Sequence, residues 1–211
     1  MSECLLDLSA AFDTIDHEIL LDRLYKMYGV TGTALKWFKS YLSDRTQSVI
    51  IDSETSDKKP LKYGVPQGSK LGPILFTSYI APISKIGAKY GVMDQKFADD
   101  EQLMNFLKPK FLHDQINAVI KMENCIEEMF TWLRKNKLSS NGDKTLFLLM
   151  GTLQMLKKLK FDSISIDGVT IKAVEKARNL GVMFDKHMNM SVQVNKICST
   201  GYYNIRNIAK I

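Results

Sequence analysis

Two adjacent carboxylates, Asp99 and Asp100, stand between two short β-type runs, Val92 to Phe97 and Gln102 to Phe106, and they constrain the fold more than any other feature of the chain. At a strand–strand tip they repel one another unless a cation sits between them. Magnesium fits such a place, because it takes hard oxygen ligands, and a two-ion site needs a further carboxylate to bridge its ions. Asp7 is the obvious third member: it lies alone in the apolar run Leu5 to Leu8, where an unpaired carboxylate would be costly to bury. A solvated turn would explain Asp99-Asp100 taken singly. The joint pattern instead predicts a fold in which Asp7 and the pair, some ninety positions apart, meet on adjacent strands.

The rest of the chain reads as one continuous unit of mixed strands and helices. Asp16 is placed to cap a helix with Ile19, Leu20, Leu24 and Met27 on one face and Gly29 as its stop, and Thr31 to cap a second with Ala34, Leu35, Phe38 and Leu42. Gln47 to Ile51 and Leu61 to Val65 are β-type runs around the turn-like Asp52 to Lys59, which reads as a hairpin. The loop 64–73 feeds an apolar helix from about Ile74 to Ile86, and a long helix follows from about Leu112 to Asn136. Leu146 to Met150, Ser163 to Ile166, Val169 to Ile171 and Leu180 to Phe184 read as strands, with Asp167-Gly168 as a hairpin turn. Ser191 to Ile208 closes the chain as a basic amphipathic helix. Strands and helices follow no regular βαβ period, so the class is α+β.

With 211 residues, 45% of them hydrophobic, the chain can bury the core of one ordinary domain or large lobe. No apolar stretch approaches the ~18 residues of a membrane span, and Glu3 and Asp7 interrupt any signal peptide, so a soluble intracellular protein with no membrane partner is expected, nucleus or cytoplasm being undetermined. Cys4, Cys125 and Cys198 have neither disulfide nor zinc spacing and read as buried thiols. His17, His113 and His187 have no ligand spacing. Residues 1–107 carry 12 Lys+Arg against 14 Asp+Glu, and residues 108–211 carry 17 against 9, so the net charge of +6 resides in the second half. That asymmetry suits a chain that grips a polyanion with one half and holds cations with the other.

The segments 5–13 (LLDLSAAFD), 64–73 (GVPQGSKLGP) and 97–100 (FADD) resemble, in this order, the A, B and C motifs of reverse transcriptases, in the form seen in jockey-like non-LTR retrotransposons. Residues 132–138 with 141–145 are similar to the D region, and 179–185 to the E region, or primer grip, so essentially the whole chain is covered. The resemblance implies a palm: an antiparallel sheet with helices on one face, whose other side cradles primer and template. Its activity would be RNA-directed DNA polymerisation, by two-metal nucleotidyl transfer from a dNTP to a primer 3′-hydroxyl. Asp7, Asp99 and Asp100 become the ligands of two Mg²⁺ ions (Mn²⁺ as a substitute), with the carbonyl of Leu8 as a further ligand. Phe12 falls against the sugar of the incoming deoxynucleotide, where its ring would clash with a 2′-hydroxyl. Gln67 and Gly68 fall beside nucleotide and template, Gly68 allowing close backbone approach, and Lys144 matches the lysine that protonates the departing pyrophosphate.

Lys196, Arg206 and Lys210 could touch phosphates of the RNA template or DNA primer. Three positions depart from the family pattern: Lys70, Leu146 and Glu101, the last placing another negative charge next to the metal site. The expected organisation is a truncated palm over residues 1–211, with fingers mostly absent before residue 1, the thumb absent after 211, and the E region and start of the connection at 179–211. The alternative is a catalytically inactive retroelement remnant or a repurposed nucleic-acid-binding module. For the isolated chain, weak salt-dependent binding of primer–template without extension is expected.

Overall fold

The computed structural model describes residues 1–66, 68–108 and 110–210, the side chain of Asp143 excepted. Strands β1 (Ser2–Leu6) and β2 (Leu8–Ser9) lead into helices α1 (His17–Tyr28) and α2 (Gly32–Leu42). The Asp16 carboxylate accepts the Glu18 and Ile19 amides at 2.9 and 3.0 Å, and Gly29 ends α1 in the left-handed conformation. Burial along the stripe of α1 stops at Leu24, so Met27, expected on the buried face, is half exposed. Thr31 occupies the cap position of α2 without a side-chain cap bond.

The expected hairpin forms, but with a different return strand. β3 (Thr46–Gln47) pairs with β6 (Lys59–Pro60), and β4 (Ile50–Ile51) with β5 (Glu54–Thr55), around a turn at Asp52, whose φ is 53°. Leu61 to Val65 is not a strand. The Val65 amide donates to the Phe12 carbonyl at 2.9 Å and the Gly64 amide to the Ile15 carbonyl at 2.8 Å, so this segment straps the 10–15 bend in place.

α3 (Gly72–Ile80), a 3₁₀ turn at Ala81–Ile83 and α4 (Ser84–Tyr90) replace the single helix expected from Ile74 to Ile86. Then come β7 (Met93–Phe97), β8 (Asp100–Asn105) and the long α5 (Leu112–Lys135). β9 (Ser139–Ser140), β10 (Leu146–Leu149), α6 (Leu153–Leu156), β11 (Ser163–Ile166) and β12 (Val169–Val174) follow, then β13 (Lys176–Asn179), β14 (Val182–Asp185) and α7 (Ser191–Ile208). The segment expected as one strand from Leu180 to Phe184 is therefore a turn and a second strand, because Leu180 and Gly181 both have positive φ, as a tight hairpin turn demands.

The main sheet has the order β11-β12-β10-β1-β8-β7. Its pairings are antiparallel except β10 with β12, which run parallel over Phe147↔Ala173 and Leu148↔Val174. Cys4, Leu6, Leu103 and Phe147 share one core cluster with Met122, Cys125, Ile126 and Met129 of α5, so helices cover one face. Towards the β10 end of the other face, Leu148 and Met150 meet Ala177 and Phe184 of the β13–β14 hairpin. The helices are tied at one end by a polar knot: the Tyr79 hydroxyl donates to the Asn136 carbonyl at 2.6 Å, and the Arg23 guanidinium lies over both Tyr79 and Trp132. None of the described helices is long and apolar enough to cross a membrane. α7 buries no residue, and Cys198 on it is exposed rather than buried.

Candidate active site

β1 and β8 run antiparallel with Leu5 opposite Gln102 and Leu6 opposite Glu101, so continuing the register by one residue sets Asp7 opposite Asp100. Successive strand residues point to opposite faces, so Leu5, Asp7, Asp100 and Gln102 share the face turned away from α5. The chain is held at this point by the Asn141 amide, which donates to the Asp7 carbonyl at 2.8 Å, and by the pairing of Leu8 with Ser140. That connection delivers the 3₁₀ turn Gly142–Lys144 to the same place, and Lys144 Nζ lies 3.3 Å from Asp7 Oδ2. Asp7, whose side chain is partly exposed, thus has a cationic partner within the chain itself.

Phe97 pairs with Asp100 across a two-residue turn of Ala98 and Asp99. Ala98 has a φ of 56°, a conformation that glycine adopts more readily and that tends to persist where the surrounding structure enforces it. Burial pushes the Asp100 carboxyl above the usual carboxylate range, and the charges of Asp99 and then Asp7 push it further. Both neighbouring charges thus act on Asp100. A cavity of about 730 Å³ lies over it, lined by Asp7, Asp100, Lys144, Gln95, Gln102 and Arg178 among others. Asp99 is half-buried at the tip and does not line this cavity. Among the described residues no three acidic, histidine or cysteine side chains are gathered closely enough to form a metal-binding cluster. The donor set nevertheless fits hard cations: aligned carboxylates whose repulsion a cation would relieve.

Glu101 departs from expectation. Strand alternation turns it away from Asp100 to the helix-covered face, where it is 2% exposed and ion-pairs with Lys96 at 3.3 Å. Its charge is spent in the interior rather than next to the metal site.

Phe12 is half-buried and stacks on Phe76, with ring centroids 4.6 Å apart. The 10–15 bend that carries it is fixed by Gly64, whose φ is 85° and on which a Cβ would come within 2.9 Å of the Asp13 backbone. The Leu8 side chain is buried. Gln67 lies outside the described residues. Gly68 has a φ of 77° and a Cβ there would meet nothing within 4 Å, so within the chain itself its backbone conformation, not crowding, calls for glycine. Lys196 and Arg206 sit on exposed positions of α7, with Lys210 just beyond it. The sequence reading missed Gln95, Gln102 and Arg178. The first two were legible by alternation from Asp100, and Arg178 would have followed from recognising the hairpin around Leu180-Gly181.

Residues 4–184 match the model of the reverse transcriptase (RNA-dependent DNA polymerase) family. Over 189 residues the chain is 26% identical to the "Probable RNA-directed DNA polymerase from transposon BS" of Drosophila melanogaster, covering 87% of this chain and 20% of that protein. Over 198 residues it is 24% identical to the RNA-directed DNA polymerase from mobile element jockey of the same organism, covering 91% of this chain and 20% of that protein. The chain therefore spans about a fifth of the length of these relatives. Among solved structures, apo telomerase from Candida tropicalis superposes with a TM-score of 0.57 at 14% identity, over 89% of this chain and 34% of that one, a likeness of fold. With the family model reaching from within β1 to within β14, the chain belongs to the reverse transcriptase (RNA-dependent DNA polymerase) family.

Proposed function

We propose that this chain is the palm of an RNA-directed DNA polymerase, which binds an RNA template and a DNA primer and extends the primer 3′-hydroxyl with dNTPs. The observation that carries the reading is that Asp7, the residue just past the end of β1, and Asp100, the first residue of the neighbouring antiparallel β8, line one cavity, with Asp99 and Asp7 close enough to Asp100 for their charges to act on it. Asp7, Asp99, Asp100 and the Leu8 carbonyl would hold two Mg²⁺ ions, or Mn²⁺ in their place, which when bound supply Lewis-acid stabilisation of the attacking and leaving oxygens. Lys144 and Arg178, which line the same cavity, supply positive charge where a triphosphate brings negative charge, and Lys144 is the donor for the departing pyrophosphate. The Phe12 ring, held by Phe76 and by the strap at Val65, bars a 2′-hydroxyl. Gln67 and Gly68 flank nucleotide and template, and the basic second half of the chain attracts phosphates.

The test is Mg²⁺-dependent extension of a DNA primer on an RNA template by the full polypeptide that carries these residues, beside its Asp7→Asn and Asp100→Asn variants. Extension lost in both variants, with salt-sensitive primer–template binding retained, is the expected result. Extension indifferent to either substitution overturns the two-ion reading, and binding with no extension by the unaltered polypeptide returns the chain to a nucleic-acid-binding module.

A further inference from the structure

A second cavity, of about 550 Å³, opens between the start of α1, the end of α2 and residues 61–66, and among the described residues it shares no lining residue with the first. Its walls bring together Tyr41, Tyr63, Arg45, Gln47 and Asp13. The Arg45 guanidinium lies 5.5 Å from the Tyr41 ring centroid. Among the described residues, neither Asp13 nor Arg45 has an ion-pair partner. The floor is rigid: His17 Nε2 is 2.7 Å from the Gly64 carbonyl oxygen, and the amides of Gly64 and Val65 are bonded to the carbonyls of Ile15 and Phe12.

These groups select the chemistry of an occupant. Flat rings at the rim offer stacking surface, which an aliphatic ligand would not use. A carboxylate and a primary amide offer acceptors and donors of the kind that read the polar edge of a base. A guanidinium without a carboxylate partner suits a phosphate oxygen. The volume lies within the roughly 300–1,000 Å³ of single-ligand pockets, too small for a duplex. We propose that this cavity takes one unpaired nucleobase of single-stranded nucleic acid, stacked on Tyr63, with its polar edge toward Asp13 and Gln47 and a neighbouring phosphate on Arg45. The proposal rests on the nucleic-acid reading above. Asp13 adjoins Phe12 in the chain, so a strand seated here runs close behind the bend that carries Phe12.

The test is fluorescence anisotropy with the full chain and three labelled probes: a single-stranded oligoribonucleotide, the oligodeoxyribonucleotide of the same sequence, and a blunt RNA–DNA duplex without unpaired bases. Tyr63 is 55% exposed, so its truncation leaves the core untouched. Tyr63→Ala is expected to weaken binding of at least one single strand by roughly 5- to 100-fold, the range for one lost base–aromatic stack. Tyr63→Phe should bind as the unaltered chain does, and neither change should alter binding of the blunt duplex. Arg45→Gln should weaken the same single strand and flatten its salt dependence. Single-strand binding unchanged in both Tyr63→Ala and Arg45→Gln, or equal losses on the duplex, would overturn the pocket while leaving the polymerase reading in place. Failure of the unaltered chain to bind any of the three probes would remove both.

Discussion

Lys144 Nζ stands 3.3 Å from Asp7 Oδ2, an ion pair between residues 137 positions apart that sets a cation on the carboxylate at the centre of the candidate site. The lysine side chain is 67% exposed, so the pair is a weak, solvent-screened one that a competing cation can displace. Lys144 and a divalent ion therefore compete for the same oxygens. Lys144→Met should tighten binding of Mn²⁺ by about two- to five-fold, the equivalent of an exposed ion pair. A titration followed by electron paramagnetic resonance measures this without any turnover, and an unchanged affinity would make the pair incidental.

Beneath the Asp99–Asp100 turn, on the helix-covered face, one ammonium serves two carboxylates. Lys96 pairs with Asp94 and with Glu101, and donates to Ser84 Oγ at 2.8 Å. The Glu101 side chain is only 1% exposed, and burial pushes its carboxyl up while Lys96 opposes the shift. Lys96→Met would strand two acids in the interior and should cost about 3–5 kcal/mol. Glu101→Gln keeps Lys96 paired with Asp94 and should cost less than about 1 kcal/mol. Urea denaturation of the two variants gives the comparison, and equal costs would remove the distinction between the two partners.

Elements whose ends carry their own chemistry were legible in the sequence. Asp16 and Gly29 bound α1 because a carboxylate satisfies first-turn amides and glycine accepts the left-handed stop. Asp167-Gly168 was legible as a turn because both residue types tolerate positive φ, whereas Leu180-Gly181, with Leu180 at 46°, hides the same geometry behind an apolar side chain. Leu61 to Val65 has strand composition but spends its backbone bonds on the 10–15 bend, a tertiary use that alternation cannot reveal. At the site, Asp7 could be matched to Asp99-Asp100 from charge logic alone. The inward turn of Glu101 needed only the period of two, while the Lys144 pairing depends on a connection through Ser139–Lys144 that no local pattern encodes.

Glu3 shares the strand face of Asp7 yet is 2% exposed, with its carboxylate accepting from the Gln102 amide. Burial raises its pKa and the amide only partly offsets this. The folded chain therefore holds this proton more tightly than the unfolded one. Glu3 contributes its full stability below the unfolded pKa and loses it as pH rises through the folded value. Glu3→Gln should be near neutral at about pH 4 and stabilising, on the order of 1 kcal/mol, at neutral pH. Denaturation curves for both chains across that range provide the check, and a difference that does not vary with pH would rule out Glu3 as its source.

Gly64 and Gly68 separate two reasons for a glycine in one loop. Both have left-handed φ, 85° and 77°, so alanine at either pays the steric cost of that conformation, about 1–2 kcal/mol. At Gly64 a Cβ would in addition lie 2.9 Å from Asp13 Cα and from the Asp13 carbonyl oxygen, which are backbone atoms already bound into the bend by the Gly64–Ile15 and Val65–Phe12 hydrogen bonds. They cannot swing aside as a side chain could. Gly64→Ala should therefore cost about 3 kcal/mol or more, and should loosen the bend that holds Phe12 against Phe76. Gly68→Ala, with open space around its Cβ, should cost no more than the conformational part. Urea midpoints separate the two, and near-UV circular dichroism reports the aromatic contact. Equal destabilisation by the two substitutions would mean that the 10–15 bend gives way to the added methyl, and that it is the left-handed backbone alone that calls for glycine at position 64.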